Sequence, residues 1–483
     1  MGRPLIVGVD SSTQSTKVEA RALDSGDVVA AASSRHPSTT PPLSEQDPNA
    51  WWAALVDAFG QLGEIRADVV AMAVAGQQHG LVLTDEDGTP LRPAKLWNDT
   101  TSAPQADAMA TTVGATRWAA ETGSVPLAAF TVAKLAWVIE HEPDVAARAA
   151  MVMLPHDWLT WKLTGRHVTD RGDASGTGWF SPVDDAYLPD LLDDAIGDGA
   201  RWAERLPQVL APTQPAGELT PAAANTLGLS PEVTVGAGTG DNMAAAVGLG
   251  LAPGDVAISL GTSGTVFAVS DAPTADPSGA VAGFASATGN YLPLVCTLNA
   301  TKVTDTVAAW LGTDAAGLAD AALEAAADPG SVTLVPYFDG ERTPNLPDAT
   351  GTFAGLTNST TRAQLALAAH DGVLCGLLDG LDALRAAGAR VGGTIRLIGG
   401  GARSRAYRQR CADLTGAPII VPDTDETVAT GVAVQAAVIA GADDFAAVTD
   451  RWQLGHGLAV DPRHDAAPVR ARYGVTSGAW QRL

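Results

Sequence analysis

Cysteine is almost absent from the 483-residue chain: Cys296, Cys375 and Cys411 are scattered, odd in number and without a CxxC pair. That excludes a disulfide framework or a cysteine-based zinc site, and it points to reducing cytoplasm. Lysine is scarce too (Lys17, Lys95, Lys134, Lys162, Lys302), so arginine carries most of the positive charge. Lys and Arg number 30 against 54 for Asp and Glu, a formal net charge of −24. A field of that sign repels phosphate backbones and anionic lipids, which argues against nucleic-acid and membrane-surface partners. A site for an anion must then supply its donors locally. No apolar segment approaches the roughly 18–20 residues of a membrane span. The apolar run at 5–9 meets Asp10 at once, which suits a buried strand and not a secretory leader. There is no Gly-x-x-x-x-Gly-Lys-Ser/Thr, so the chain is not a P-loop protein.

What is present is α/β patterning. The chain is 46% hydrophobic and 17% charged, a globular composition at a length that suits two large domains. Apolar runs at 5–9, 69–74, 233–236, 256–260, 332–335, 395–398 and 418–421 read as strands. They alternate with helical stretches at 48–62, 131–140 and 363–386. Gly372, Gly376 and Gly380 stripe the last of these, each at about 1 kcal/mol relative to Ala, which implies close approach of a neighbouring element. One internal echo outweighs the rest. Residues 7–16 and 257–265 both read strand, small polar residues, strand, with Thr13 matching Thr262. A repeat of domain size predicts two similarly built domains, 1–243 and 244–483, each opening with the same β-hairpin. The boundary is expected near 236–240 or in the Gly-rich stretch just after it.

Two turns rich in Ser, Thr and Gly can cradle phosphates, because small side chains let backbone N–H groups and hydroxyls face phosphoryl oxygens. Either hairpin alone could be an ordinary turn; its recurrence with the same Thr argues otherwise. A third cluster, Gly399-Gly400-Gly401-Ala402-Arg403-Ser404, follows a strand and precedes a helix. It fits a glycine-walled slot for adenine, a weak dinucleotide fingerprint completed by Asp423, or a turn that needs positive φ. Asp10 ends the first strand and Asp241 follows the glycine run 236–240. A turn residue and a helix N-cap are the plain alternatives. Two carboxylates at corresponding strand ends also suit holding a hydrated Mg²⁺ and accepting a hydroxyl proton. Gln77-Gln78-His79-Gly80 and Leu96-Trp97-Asn98-Asp99 supply amides, an imidazole and an indole, the donors, acceptors and flat wall of polyol recognition. His79 is as readily structural, and as a zinc ligand it lacks a second His at ligand spacing.

Across essentially its whole length the chain resembles the FGGY carbohydrate kinases. The marks are residues 43–52 (LSEQDPNAWW), 75–80 (AGQQHG), 91–99 (LRPAKLWND) and 130–135 (FTVAKL). The second half adds Gly240-Asp241-Asn242, residues 259–264 (SLGTSG), 336–344 (PYFDGERTP) and the 399–404 run. The resemblance implies two actin-like, ribonuclease H-like domains around a central cleft, the first binding sugar and the second nucleotide. It implies ATP-dependent phosphorylation of a ketopentose at its primary 5-hydroxyl, D-xylulose before ribulose or glycerol. Asp241 is then the general base, and Asp10 sits by the metal and the transferred phosphoryl group. Gln78, His79, Asn242 and Trp97 contact the sugar; Thr13, Gly261 and Thr262 line the phosphates; Gly400, Gly401 and Ala402 border the adenine. Mg²⁺ is held by Asp10 and Asp241 through water. The partners implied are the sugar and MgATP in the cytoplasm, with room for a homodimer, and a sugar or nucleotide sensor without turnover is the non-enzymatic alternative. Two positions depart from the family's habit: Gln78, where Met is common, and Ser12 with Ser15, where glycines are common.

Overall fold

The computed structural model describes residues 2–479 apart from 326, 327, 329 and 425. The chain divides into two compact units. The first comprises the residues up to Leu251 together with Ala275–Leu292 and Glu426–Leu454. The second comprises Ala252–Thr274, residues 293–424 and the residues from Gly455 on. The first crossing therefore falls beyond Gly248 and Gly250, while 236–240 lies inside the first unit.

The first unit is organised by a mixed sheet in the order Pro215–Glu218, Thr234–Gly236, Val69–Gly76, Leu5–Ser11, Ser15–Ala22, Val28–Arg35. Every residue of Leu5–Ser11 is buried, as expected of a strand covered on both faces. It runs antiparallel to Ser15–Ala22, from Leu5↔Ala22 to Ser11↔Thr16, and parallel to Val69–Gly76. On one face lies helix Pro48–Gln61, capped by Asp47 with Pro48 in its first turn. It drives Trp51, Leu55 and Phe59 into a core shared with Trp158. On Leu5–Ser11 and Val69–Gly76 also lies helix Thr427–Ile439, from far along the chain. At the first strand backbones meet, since a Cβ on Gly8 would stand 1.9 Å from the Ala429 carbonyl oxygen; the same helix also meets helix Asp241–Gly248, where a Cβ on Gly431 would stand 1.8 Å from the Ala244 carbonyl oxygen.

The second unit repeats the plan. Val256–Leu260 runs antiparallel to Gly264–Ala268 and parallel to Ile395–Ile398, the same pairings that Leu5–Ser11 makes. Ile419–Pro422 and Gly457–Val460 extend that sheet beyond Ile395–Ile398. The long helix Arg362–Ala386 opens with a capping box between Thr361 and Gln364. Its glycine stripe admits neighbours: a Cβ on Gly372 would meet the Leu334 carbonyl oxygen at 2.4 Å, and one on Gly380 the Val295 side chain at 3.1 Å. The duplicated hairpin read from residues 7–16 and 257–265 is thus a duplicated sheet core.

Candidate active site

In the first unit Asp10 lies next to last in Leu5–Ser11, paired with Lys17 across the hairpin and with Ala75 on the other side. It is buried, and its Oδ1 has no hydrogen-bond partner among the described residues. Desolvation, and then the neighbouring Asp241, push its carboxyl up to about 7 against the pull of Lys17. Lys17 in turn pairs with Glu426 at 2.6 Å.

Asp241 is the first residue of helix Asp241–Gly248, placed by Thr239–Gly240, which pairs in parallel with Ala75 and Gly76. Gly240 occupies the N-cap, so Asp241 is not a capping residue. Its Oδ1 accepts from Asn242 N at 2.7 Å and Asn242 Nδ2 at 2.9 Å. Burial nevertheless holds the carboxyl up at about 6.

Around these acids the structure gathers the predicted polyol residues. Asn242 Nδ2 donates to Gln78 Oε1 at 2.8 Å. Thr13 Oγ1 donates to Gln77 Oε1 at 3.1 Å and accepts from Trp97 Nε1 at 2.9 Å, so its hydroxyl belongs to the polyol cluster. Trp97 is 47% exposed, and its loop is anchored by the buried Asp99, which accepts from Ser44 N at 2.9 Å and pairs with Lys95 at 3.3 Å. His79 has φ +64 and donates from Nδ1 to the Gly176 carbonyl at 2.7 Å. Its ring stacks on Phe130 at 4.8 Å and tilts against Phe284 at 5.5 Å. Lys134, pushed down to about 7 by burial, holds the Phe130 turn by donating to the carbonyls of Ala128 and Ala129. Ser12 does not present a free hydroxyl; it donates to the Ser15 carbonyl at 3.0 Å.

Sequence reasoning missed a buried cluster in the same unit. His156 Nε2 lies 3.1 Å from Asp157 Oδ1, 3.3 Å from Asp173 Oδ2 and 3.6 Å from Asp170 Oδ1. Desolvation pushes His156 down to about 3 and raises Asp157 and Asp173 well above the carboxylate range. The imidazole is therefore neutral, and burial works against charge on the carboxyls that face it. Asp170 plays a different part: it accepts from Gly172 N at 2.8 Å, Asp173 N at 3.0 Å and Thr239 Oγ1 at 2.7 Å. Because Thr239 leads directly into Gly240 and Asp241, Asp170 fixes the turn that aims Asp241. Asp170→Ala strands those donors, at about 1–3 kcal/mol for each that stays buried and unpaired. The expected result is a lower denaturation midpoint together with a fall in kcat, while KM for nucleotide is unchanged; denaturant titration and initial rates check it.

In the second unit the hairpin turn and the glycine cluster share a cavity of about 650 Å³. Gly261, Thr262, Gly400 and Gly401 all line it, with Leu260 and Tyr407. Thr301 ties the hairpin down, donating from Oγ1 to the Gly261 carbonyl at 2.9 Å. Gly401 is sterically required, since a Cβ there would meet Leu260 Cβ at 2.7 Å and Thr301 Cγ2 at 2.8 Å. Ala402 is not on the wall; its carbonyl accepts from Arg408 Nε.

Family models match both parts of the chain. Residues 5–248 match the N-terminal domain of the FGGY family of carbohydrate kinases, and 256–440 match its C-terminal domain. The chain belongs to the FGGY family of carbohydrate kinases. It is 47% identical over 479 residues to the xylulose kinase of Streptomyces coelicolor, covering 99% of this chain and 96% of that protein. It is 37% identical over 420 residues to the xylulose kinase of Escherichia coli, covering 85% of each. Among solved structures, the xylulose kinase from Bifidobacterium adolescentis superposes with a TM-score of 0.89 at 40% identity, over 99% of this chain and 100% of that one. This carbohydrate kinase thus has the two-domain α/β fold of the sugar kinases and acts on a small-molecule sugar with ATP. The nicotinamide-linked reading of residues 399–404 falls with that membership. Among the described residues, no helix is long and apolar enough to cross a membrane.

Proposed function

We propose that this kinase transfers the γ-phosphoryl group of ATP to the primary 5-hydroxyl of D-xylulose, giving D-xylulose 5-phosphate and ADP. The observation that carries the chemistry is Asp241, a carboxyl raised to about 6 whose Oδ1 is steadied by Asn242. A base of that strength is ionised at neutral pH and matched to a proton that leaves late. Asp241 takes the hydroxyl proton as the sugar oxygen bonds to the γ-phosphorus, and the bond to the β–γ bridging oxygen breaks to release ADP. Gln78, His79 and Asn242 orient the sugar hydroxyls, and the exposed Trp97 ring covers its carbon face. Sugar binding falls to 1–243 and nucleotide binding to 244–483. Within the latter, Gly261 and Thr262 face the phosphates and Gly400 and Gly401 the base. With its hydroxyl engaged, Thr13 meets phosphate through its backbone.

The acids fit a divalent cation. Asp10 offers a buried oxygen without a protein partner beside a second carboxyl. Among the described residues no set of three or more His, Cys, Asp or Glu could hold a metal ion, in keeping with a hard cation held by one or two carboxylates, water and phosphates. Mg²⁺ at Asp10 and Asp241, through water, would neutralise charge on the transferring phosphoryl group. The enzyme is expected in the reducing cytoplasm, in keeping with its three scattered cysteines, and as a homodimer.

The test is ADP release from MgATP with D-xylulose, D-ribulose, L-ribulose, glycerol, gluconate and a no-sugar blank. D-xylulose is expected to give the highest kcat/KM, at least about tenfold above the others. Preference for another sugar would overturn the substrate; no stimulation by any would turn the reading to a nucleotide or sugar sensor.

A further inference from the structure

The cavity of the second unit contains a group that neither the phosphate turns nor the glycine wall accounts for. His370, on helix Arg362–Ala386, forms part of its lining although only 2% exposed. Its Nδ1 lies 2.9 Å from the Ala366 carbonyl oxygen. A carbonyl can only accept, so Nδ1 carries the proton. Burial pushes the imidazole down to about 4, so the ring is neutral at working pH and Nε2 holds a lone pair. Nε2 has no hydrogen-bond partner among the described residues and is not sealed within the protein; the cavity is the space it opens on. The ring is fixed in place by Tyr407, edge-on at 4.6 Å.

The surrounding hydroxyls sharpen what this lone pair can select. Thr301 Oγ1 donates to the Gly261 carbonyl, and Thr304 Oγ1 donates to the Thr301 carbonyl at 2.8 Å. Thr304 has a single proton, so in its 3.1 Å contact with Tyr407 the phenol must be the donor. All three hydroxyl protons are thereby committed to the protein. The acidic side chains on the lining, Asp305 and Asp320, are acceptors as well. Leu260 and Ala319 add carbon surface, and the Gly400–Gly401 turn completes this part of the lining. Arg403, Ser404, Arg405 and Thr262 put donors elsewhere on the lining; at the side formed by His370, Thr301, Thr304 and Tyr407 a planar heterocycle meets acceptors and must bring the donor itself.

We propose that His370 sets the purine preference of this kinase: its Nε2 accepts a hydrogen bond from the 6-amino group of adenine and disfavours bases with a 6-oxo group. The inference rests on the reading of this cavity as the nucleotide site. A 6-oxo base turns an acceptor toward Nε2, leaving two lone pairs opposed in a buried site. A base with no 6-substituent leaves Nε2 unpaired.

The experiment compares ATP with inosine triphosphate as phosphoryl donors under saturating sugar, in the wild type, His370→Phe and His370→Gln. The wild type is expected to favour ATP in kcat/KM by at least about tenfold, the size set by one unpaired buried polar group. His370→Phe keeps a ring against Tyr407 and is expected to bring the two donors within about threefold, mainly by losing ATP efficiency. His370→Gln, whose amide can turn its N–H₂ toward a 6-oxo group, is expected to raise use of the inosine donor. Ala316→Trp, at an exposed position of the same lining, tests the cavity itself and is expected to raise KM for ATP.

If Ala316→Trp raises that KM but the donor ratio stays at its wild-type value in both His370 variants, the inference is overturned and the nucleotide site stands. If Ala316→Trp leaves KM for ATP unchanged, the cavity is not the nucleotide site and both fall. A wild-type measurement decides the point even if the His370 variants fail to fold. ADP should bind at least about tenfold more tightly than purine riboside diphosphate, which lacks only the 6-amino group. Equal binding would overturn the proposal.

Discussion

Asp241→Asn is expected to lower kcat for sugar phosphorylation by about a thousandfold, within the range contributed by a positioned general base. The substitution keeps the shape of the side chain and an oxygen that can accept from Asn242 N, so the helix start at Asp241 survives. What disappears is the ability to take a proton. Sugar binding, followed through the fluorescence of the exposed Trp97 indole and its neighbours, should change by no more than a few fold. A parallel loss of binding and turnover would instead make Asp241 a sugar-positioning group.

The same residue fixes the acid limb of the pH profile. The base works ionised, and its carboxyl sits at about 6. In the wild type kcat/KM for the sugar should be flat above that value and fall as pH drops through it, approaching tenfold per pH unit. A bound cation draws the limb lower, because positive charge favours the carboxylate. The residual activity of Asp241→Asn should lack this limb. A limb unchanged in the variant would assign it to another acid, with Asp10, at about 7, the first candidate.

Arg410→Ala is expected to destabilise the second unit by about 3–5 kcal/mol, the cost of leaving buried carboxylates without their cation. Arg410 clamps Asp371 with two bonds, Nε to Oδ1 at 2.7 Å and Nη2 to Oδ2 at 3.1 Å, and reaches Asp413 Oδ2 at 3.2 Å. All three side chains are 4% exposed or less. Asp413 has other donors, among them Arg463 N at 2.7 Å and Gln409 Nε2 at 3.0 Å. Asp371 relies on the guanidinium and already stands at about 6. Without Arg410 its folded pKa rises further above the unfolded value, so the variant recovers stability as pH falls through that range and its proton returns. The loss should be larger at pH 8 than at pH 5.5. Hydrogen exchange in helices Arg362–Ala386 and Arg405–Thr415 measures the second unit directly, since a two-unit chain need not unfold in one step. His370 precedes Asp371, so weaker ADP binding should accompany the loss.

The parts of this architecture that were legible in the amino-acid chain are those encoded locally. Leu5–Ser11, Val69–Gly76 and Ile395–Ile398 are strands buried along most or all of their length, and their apolar runs announce them. The hairpins could be read because turns that serve one chemistry repeat the same small polar residues. Gln78, His79, Trp97, Asp241 and Asn242 could be named because each belongs to a family motif; of these, Asp241 lies beside Asp10 and Asn242 joins Asp241 to Gln78. The rest depends on distance in sequence. Nothing local in residues 427–439 tells that this helix covers the first strand and not its neighbours in the second unit. His156, Asp157, Asp170 and Asp173 look like ordinary polar residues until burial is known. The one signal was for His156 and Asp157, polar side chains breaking the run of Trp, Leu and Met from Met151 to Leu163; Asp170 and Asp173 sit in a polar stretch that carries none. The engagement of the Thr13 hydroxyl by Gln77 and Trp97 is a consequence of side-chain direction that spacing does not carry.

Helix Thr427–Ile439 gives the molecule an order of assembly. It packs on the first strand at Gly8 and, through Gly431, on helix Asp241–Gly248, and its Gln435 grips both the N–H and the carbonyl of Gly238, three residues before Asp241. A chain emerging from the ribosome makes the strands of the first unit early, yet the element that closes over them emerges only after residue 439 has been added. The first unit therefore closes only after most of the second has been made, and a chain cut at Leu251 lacks the lid of its own sheet. A lesion in residues 427–439 is therefore felt at the turn that leads into Asp241.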